Sequence, residues 1–385
     1  MRGEPTGEIC ILTHLLDRMP CGVGRYLESL LEEFKGFDLA ARIRLVHDQP
    51  KDHPHYRSYR HTVIPLPKGF GRETRWAQWR LPRALNGMNP ALIYCPIQIN
   101  PPLFGLGAPL VLLVWDFAPL LWSDPAWPWL RRRVIFGPIL NRAIARASAI
   151  IVPSESTRGD LMRLFGSAAG RGGSHRIEVV PCAADKRFRP RPDLAPPVSG
   201  RYVFYAGSLI PRKNVATMVR AIALMKQRGL GYRLVLAVPG AEFTPSGLET
   251  LAPARDVLDL LNGDNLSMDD LVALYTHCEA FIFPSLYEGF GFPVLEAMAC
   301  GAPVITTRCS SLPEVAGDAA RFVGGEDPDE LARAIEEVVS HPALRRSLAE
   351  AGLAWATRFS WRRTAEQTAA IFERVLARHT NRVTR

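Results

Sequence analysis

Glu288 and Glu296 stand eight positions apart within Pro284–Gly301, PSLYEGFGFPVLEAMACG. Between them lies Gly289-Phe290-Gly291-Phe292-Pro293. The preceding run Ala280–Phe283 is short, apolar and aromatic, which predicts a buried strand. Val294–Ala299 predicts a helix, stopped by Gly301 and Pro303, with Pro293 suited to its first turn. Glu288 is therefore expected in a loop at the carboxyl end of a strand, and Glu296 early in the next helix. The glycines would let backbone N–H groups approach a ligand closely. A helix N-terminus offers such groups, with a positive dipole end, to a phosphate or a polar sugar. Two carboxylates can accept hydrogen bonds from hydroxyl groups, and diphosphate plus sugar hydroxyls describes a nucleotide sugar. A tight strand–helix turn with two solvated glutamates is the plainer alternative. The Gly-Phe-Gly-Phe-Pro context favours the ligand.

A second cradle precedes this one. Tyr202–Gly207 reads as a strand, Ser208-Leu209-Ile210-Pro211-Arg212-Lys213-Asn214 as a loop, and Val215–Gln227 as a helix. Cations just before a helix N-terminus are disfavoured by the dipole. Placing Arg212 and Lys213 there argues for a bound anion such as a diphosphate. Near the start, Glu8–Leu15 reads as a strand, Gly22 and Gly24 as a glycine loop, and Leu27, Leu30, Leu31 and Phe34 as one helix face. That loop could face phosphates, although the third glycine of a dinucleotide fingerprint is missing. Asp116 follows the strand Leu110–Trp115, where it either holds an acceptor hydroxyl or caps the strand end.

These residues resemble a family. Glu288 and Glu296, with the flanking Phe283–Gly291 and Glu296–Gly301, are similar to the Glu-x7-Glu motif of retaining glycosyltransferases. The likeness is to glycosyltransferase family 4, and it continues through Ser311–Ala319. It implies a GT-B fold: two Rossmann-like doubly wound α/β domains facing a cleft, with a C-terminal helix crossing back to the first. It also implies a nucleotide-sugar donor held mainly by the second domain. On that resemblance Lys213 reaches the donor phosphates, with Arg212 taking over for an arginine that Ser208 replaces. Gly22 and Gly24 match a Gly-x-Gly-Arg-Tyr loop. Glu296 would hold ribose hydroxyls, Glu288 would orient the sugar or shield positive charge at the anomeric carbon, and Gly207, Ser208, Gly289, Phe290 and Gly291 would line the donor site. Trp115 stands where many members carry a histidine, which removes an imidazole from the expected catalytic wall. The Pro-Arg-Lys-Asn variant is associated with mannosyl or rhamnosyl transfer in surface-polysaccharide assembly.

The elements needed to position these residues are also readable. Further strands are expected at Ile43–Val46, Thr62–Ile64, Leu92–Tyr94, Ala149–Ser154, Ile177–Val180, Leu234–Val238, Leu258–Asn262 and Val304–Thr306. Helices are expected at Thr157–Phe165, Asp269–Thr276, Leu331–Val339 and Leu344–Ala354, with a final one after Ser360. Arg187–Pro197 contains four prolines and reads as a semi-rigid linker. The expected domains are residues 1–188 (acceptor side), 198–358 (nucleotide-sugar side) and 359–385 (returning helix).

Charge is unevenly spread. Residues 1–200 hold 27 Lys+Arg against 17 Asp+Glu, net +10, while residues 201–385 hold 20 against 21, net −1. The first half is therefore expected to face something anionic. No helix-turn-helix, zinc-finger or RNP-like signature is present, which argues against nucleic acid. Trp76, Trp79, Leu81 and Leu85 alternate with Arg72, Arg75, Arg80 and Arg83. Trp127, Trp129, Val134, Ile135 and Phe136 flank Arg131–Arg133. Both stretches suit either an anionic membrane surface or amphipathic helices with a solvated basic face. Seven scattered cysteines form no CxxC pair, suggesting neither a zinc site nor a disulfide framework. MRGEPTGEIC lacks the apolar core of a signal peptide, and no spanning helix is expected. A cytoplasmic protein follows as the expectation, with a peripheral seat at the inner membrane face left open.

The expected activity is metal-independent, retaining hexosyl transfer, with Glu288, Asp116, Arg212 and Lys213 at the reacting centre. The nucleotide sugar is a substrate, and no cofactor is expected. The expected acceptor is a glycan, preferably lipid-diphosphate-linked. Glycoside hydrolysis also uses paired carboxylates but needs no diphosphate cradle. A binding protein that lost turnover and a nucleotide-sugar epimerase of similar fold are the other readings.

Overall fold

A computed structural model describes residues 7–14, 22–49, 53–122, 136–170, 176–242 and 244–383. The expected Trp127–Ile135 aromatic and basic stretch lies outside these residues, as does Cys21. The chain forms two compact units, residues 1–182 with 361–385, and residues 183–360.

The first unit is built on a seven-stranded parallel sheet in the order β3-β2-β1-β4-β5-β6-β7. Its strands are β1 (Ile9–Leu12), β2 (Ile43–His47), β3 (Arg60–Val63), β4 (Leu92–Cys95), β5 (Leu110–Leu113), β6 (Ala149–Val152) and β7 (Ile177–Val179). The central strands β1, β4, β5 and β6 are buried throughout. Helices cover both faces of such a sheet, so its inner strands read as unbroken apolar runs rather than alternating ones. Ile9 pairs with Ile43 on one side and Leu92 on the other, so the strand order reverses at β1 and β4. The final helix, Trp361–Val383, returns to this unit. It is fixed by Arg42 to Glu373 at 3.2 Å, by Arg374 to Glu178 at 2.7 Å, and by Phe372 against Phe34.

The second unit repeats the plan with six parallel strands in the order β10-β9-β8-β11-β12-β13. They are β8 (Tyr202–Ala206), β9 (Arg233–Val238), β10 (Leu258–Asn262), β11 (Ala280–Phe283), β12 (Val304–Thr307) and β13 (Ala320–Val323). Here the order reverses between β8 and β11, which pair directly through Val203 with Ala280 and Phe204 with Phe281. Ligands of doubly wound sheets bind beyond the carboxyl ends of strands at such a reversal. The proline-rich stretch travels with this unit: Phe188 packs on Tyr275, and the Arg191 N–H bonds to Thr276 Oγ1 at 3.3 Å.

Two local expectations are revised. The helix after β1 spans Gly22–Phe34, so Gly22 and Gly24 lie in its first turn rather than in a loop before it. Burial of Gly24, Tyr26, Leu27, Leu30 and Leu31 along one face carries the helix back to the glycines. The Trp–Arg stretch is not one regular helix. A single turn, Arg72–Arg75, leads into a wide π-type turn, Trp76–Arg80, and then the helix Leu81–Met88.

Candidate functional site

The polar centre of the second unit is assembled by the two segments that follow β8 and β11. After β8 the chain passes Gly207 and Ser208 and makes a 3-10 turn over Pro211–Lys213. It then enters the helix Val215–Gln227 through Asn214, which is left-handed at φ 58°. Asn214 Nδ2 donates to the Pro284 carbonyl at 3.2 Å and to the Gly325 carbonyl. These bonds hold the turn against the β11 loop. Tyr205 Oη donates to the Ser208 carbonyl at 2.7 Å, which fixes the other end.

The turn aims both cations at Glu288. Lys213 Nζ lies 2.6 Å from Glu288 Oε1, with both side chains about nine-tenths buried, and rests 4.9 Å above the Phe283 ring. Arg212 reaches Glu288 Oε2 at 3.3 Å and donates to the Tyr287 carbonyl at 2.8 Å. Ser285 Oγ donates to Glu288 Oε1 at 2.6 Å. Burial alone would raise the Glu288 carboxyl. The charges of Lys213 and Arg212, with hydrogen bonds from Lys213 and Ser285, outweigh it and hold the group below the usual carboxylate range. Two cations against one carboxylate leave a net positive charge, which suits an anion.

The loop bearing Glu288 is pinned from β12. The Glu288 N–H donates to Ser310 Oγ at 2.7 Å, and Ser310 is itself left-handed at φ 48°. Ser311 Oγ contacts the Glu288 carbonyl at 3.0 Å and the Phe290 carbonyl at 2.7 Å. Gly291 enters the helix Phe292–Ala299 at φ 107°, and a Cβ there would lie 2.9 Å from Leu312 Cδ2. The conformation favours glycine, and a side chain there would also press on Leu312. Val294 and Leu295 donate back to the Gly291 carbonyl, closing the first turn.

Glu296 lies in that helix and is buried. Tyr275 Oη donates to Glu296 Oε2 at 3.2 Å, from the helix Met268–His277. The structure therefore brings Glu288, Arg212 and Lys213 into one hydrogen-bonded cluster. Gly207 and Ser208 lie on the segment leading to the Pro211–Lys213 turn, Gly289, Phe290 and Gly291 follow Glu288 in its loop, and Glu296 accepts from Tyr275.

Asp116, Gly22 and Gly24 belong to the first unit, beyond the carboxyl ends of β1 and β5. Asp116 Oδ1 accepts from the Ala118 N–H at 2.9 Å, at the start of the short helical turn Ala118–Leu121. Trp115 is fixed by its indole N–H to the Pro96 carbonyl at 2.9 Å and by an edge contact with Tyr26.

Ser285, Ser310, Ser311 and Asn214 were not singled out from the sequence. Asn214 carried a signal, an asparagine opening a helix where a left-handed residue is tolerated. The serines carried none, because their partners lie 21 residues and more along the chain, apart from the local bonds of Ser285 to Tyr287 and Glu288.

Comparison with known proteins agrees with this architecture. Residues 20–188 match the family described as Glycosyltransferase Family 4 and residues 187–355 that described as Glycosyl transferases group 1. The chain is 31% identical over 259 residues to the MMP alpha-(1->4)-mannosyltransferase of Mycolicibacterium hassiacum, covering 65% of this chain and 60% of the relative. It is 31% identical over 239 residues to O-antigen chain mannosyltransferase B of Escherichia coli, covering 60% of this chain and 61% of the relative. It thus spans about three-fifths of the length of these two curated relatives. Among solved structures, sucrose-phosphate synthase of Thermosynechococcus elongatus superposes with a TM-score of 0.77 at 19% identity, covering 96% of this chain and 99% of that one. WaaG, a glycosyltransferase involved in lipopolysaccharide biosynthesis, gives 0.70 at 16% identity, covering 94% and 99%. Anabaena HepE, solved with UDP-glucose, gives 0.70 at 17% identity, covering 95% and 99%. With its two doubly wound units and its two family matches laid end to end, the chain belongs to the GT-B glycosyltransferases, a family 4 unit followed by a group 1 unit.

Proposed function

We propose that this chain moves a sugar, mannose favoured, from a nucleoside-diphosphate sugar to a glycan acceptor in polysaccharide assembly, with retained anomeric configuration and without a metal. The observation that carries the reading is the Lys213–Glu288–Arg212 cluster beyond the carboxyl ends of the adjacent strands β8 and β11. A departing nucleoside diphosphate develops negative charge, and preorganised cations stabilise it most effectively where water is excluded. Lys213 is buried, Arg212 is half-buried, and the N-terminus of the helix Phe292–Ala299 lies on the same loop. These groups neutralise the leaving group without a divalent ion.

In this reading the C1–O bond to the diphosphate breaks as the acceptor hydroxyl oxygen bonds to C1 on the same face. The hydroxyl proton passes to the departing phosphate oxygen. Glu288, kept ionised by its two cations, orients the donor sugar through its outer lone pairs. Phe290 and Gly291 present backbone groups to sugar hydroxyls, and Glu296 takes the ribose. Asp116 holds an acceptor hydroxyl. The names of the mannosyltransferase relatives support mannose as the sugar and an O-antigen-like glycan as the product class. The basic first half supports a lipid-diphosphate-linked acceptor at a membrane surface.

A thermal-shift panel of nucleotide sugars tests this, each variant being compared with its own ligand-free baseline. One donor, with GDP-mannose tried first, should raise the transition. Lys213→Ala and Glu296→Ala should lose that response. NMR of the product should show the donor's anomeric configuration, and chelator should leave the rate unchanged. A panel with no responding donor would refute the reading. Free sugar formed without an acceptor would indicate hydrolysis, and an epimerised donor an epimerase.

A further inference from the structure

We propose that the first unit carries a seat for an anionic lipid surface, formed by residues 66–88 and the loop 98–107. Seven large hydrophobic side chains are exposed among the described residues, and four of them fall here: Phe70 at 102%, Trp79 at 65%, Ile99 at 46% and Phe104 at 48%. Scattered exposed apolar residues need no explanation, but four on linked segments do.

The links are hydrogen bonds. Gln78, buried beside Trp79, donates to Asn100 Oδ1 at 3.0 Å and to the Pro101 carbonyl at 2.8 Å, and accepts from the Leu103 N–H at 3.1 Å. One amide thus fastens the Trp79 turn to the loop bearing Ile99 and Phe104. Asn86 Oδ1 accepts from the Gly107 N–H at 2.8 Å, tying the following helix to the far end of that loop. Arg75 donates to the Lys68 carbonyl and so holds the turn bearing Phe70. Arg142 lies 5.4 Å over the Phe104 ring.

The wide turn Trp76–Arg80 creates the outward tryptophan. In a regular helix, residues three apart share a face, so Trp79 would follow Trp76 inward. The π-type turn inserts extra backbone and breaks that register. Trp76 stays buried, with its indole N–H on the Ile64 carbonyl at 2.6 Å, while Trp79 and Arg80 face solvent.

Charge selects the occupant. Between residues 64 and 88 the chain carries Lys68, Arg72, Arg75, Arg80 and Arg83 against one acid, Glu73, net +4, and all six side chains are exposed. Exposed aromatics that partition to the headgroup level, among arginines that pair with anionic headgroups, fit a bilayer containing acidic lipid. Ile99 offers no ring to stack on a base, which disfavours single-stranded nucleic acid. The inference deepens the reading of a membrane-borne acceptor by giving that membrane a place to dock.

Flotation of the full chain with phosphatidylglycerol–phosphatidylcholine vesicles, and with phosphatidylcholine alone, tests it at low and high salt. Partition should require the anionic lipid and fall with salt. Each arginine near such a surface is worth about fivefold, so Arg72→Gln/Arg80→Gln/Arg83→Gln together should lose roughly a hundredfold. Trp79→Ser should lose several-fold. Nitroxide-labelled lipid should quench a fluorescence component that is missing in Trp79→Phe. The donor-induced thermal shift should be unchanged in all these variants, so loss of membrane docking and failure of the glycosyltransferase reading are separate results. Equal partition to neutral vesicles, unimpaired variants, or binding instead to a single-stranded oligonucleotide lost in the same variants would overturn the proposal.

Discussion

Replacing Lys213 by Met keeps most of the side-chain volume but leaves Glu288 with less compensating charge in a buried place. The pair is 2.6 Å apart, with side-chain exposures of 10% and 9%. Breaking a buried ion pair from one side costs about 3–5 kcal/mol, because a charge stays behind uncompensated. Arg212 at 3.3 Å and Ser285 at 2.6 Å remain on the carboxylate, which puts the expected loss near the lower limit, about 3 kcal/mol. For a unit of this size that is a fall of about 6–12 °C in its melting transition. Glu288→Gln should also destabilise, because it leaves Lys213 and Arg212 without their carboxylate, although the amide oxygen can still accept from Lys213 and Ser285. The double variant Lys213→Met/Glu288→Gln should be more stable than the sum of the two losses predicts, with a coupling of about 1–3 kcal/mol. The assay is urea unfolding of all four proteins, with tryptophan fluorescence and circular dichroism followed together. Additive losses, or a Lys213→Met protein as stable as the parent, would refute the claim that a buried charge cluster organises this site.

Two further outcomes follow from the same geometry. Because Glu288 is held below its ordinary range in the folded state, its stabilising contribution should be complete above about pH 4.5 and be lost as pH falls through the lower folded value. The acid limb of a stability–pH curve should therefore be shallower in Glu288→Gln than in the parent, as chemical denaturation at stepped pH would show. Ser310 combines a left-handed backbone with the 2.7 Å bond from the Glu288 N–H. Ser310→Ala should cost about 1–2 kcal/mol for the lost acceptor, whereas Ser310→Gly should recover about 1 kcal/mol of that by relieving the backbone. Donor affinity, read by titration calorimetry, should fall in both if the bond positions the loop.

The strand–turn–helix units of both halves were legible because each depends on neighbours in sequence. The helix Val215–Gln227 and the strands Leu258–Asn262 and Ala280–Phe283 stand where apolar runs and turn residues put them. Gly291 was legible as a turn glycine before a helix, and its left-handed backbone follows from that local chemistry. The residue chemistry of Glu288, Arg212 and Lys213 was equally visible as separate signals. Only tertiary structure decided that the two cations close on one carboxylate, because Lys213 and Glu288 are 75 residues apart and meet through parallel pairing of β8 with β11. Tertiary structure likewise turned Glu296 toward Tyr275. It also gave Trp76 to the core and Trp79 to solvent, which two tryptophans in one arginine-rich stretch leave open. Periodicity and turn chemistry are local and so can be read along a chain, whereas the partner of a buried charge is chosen by the sheet order.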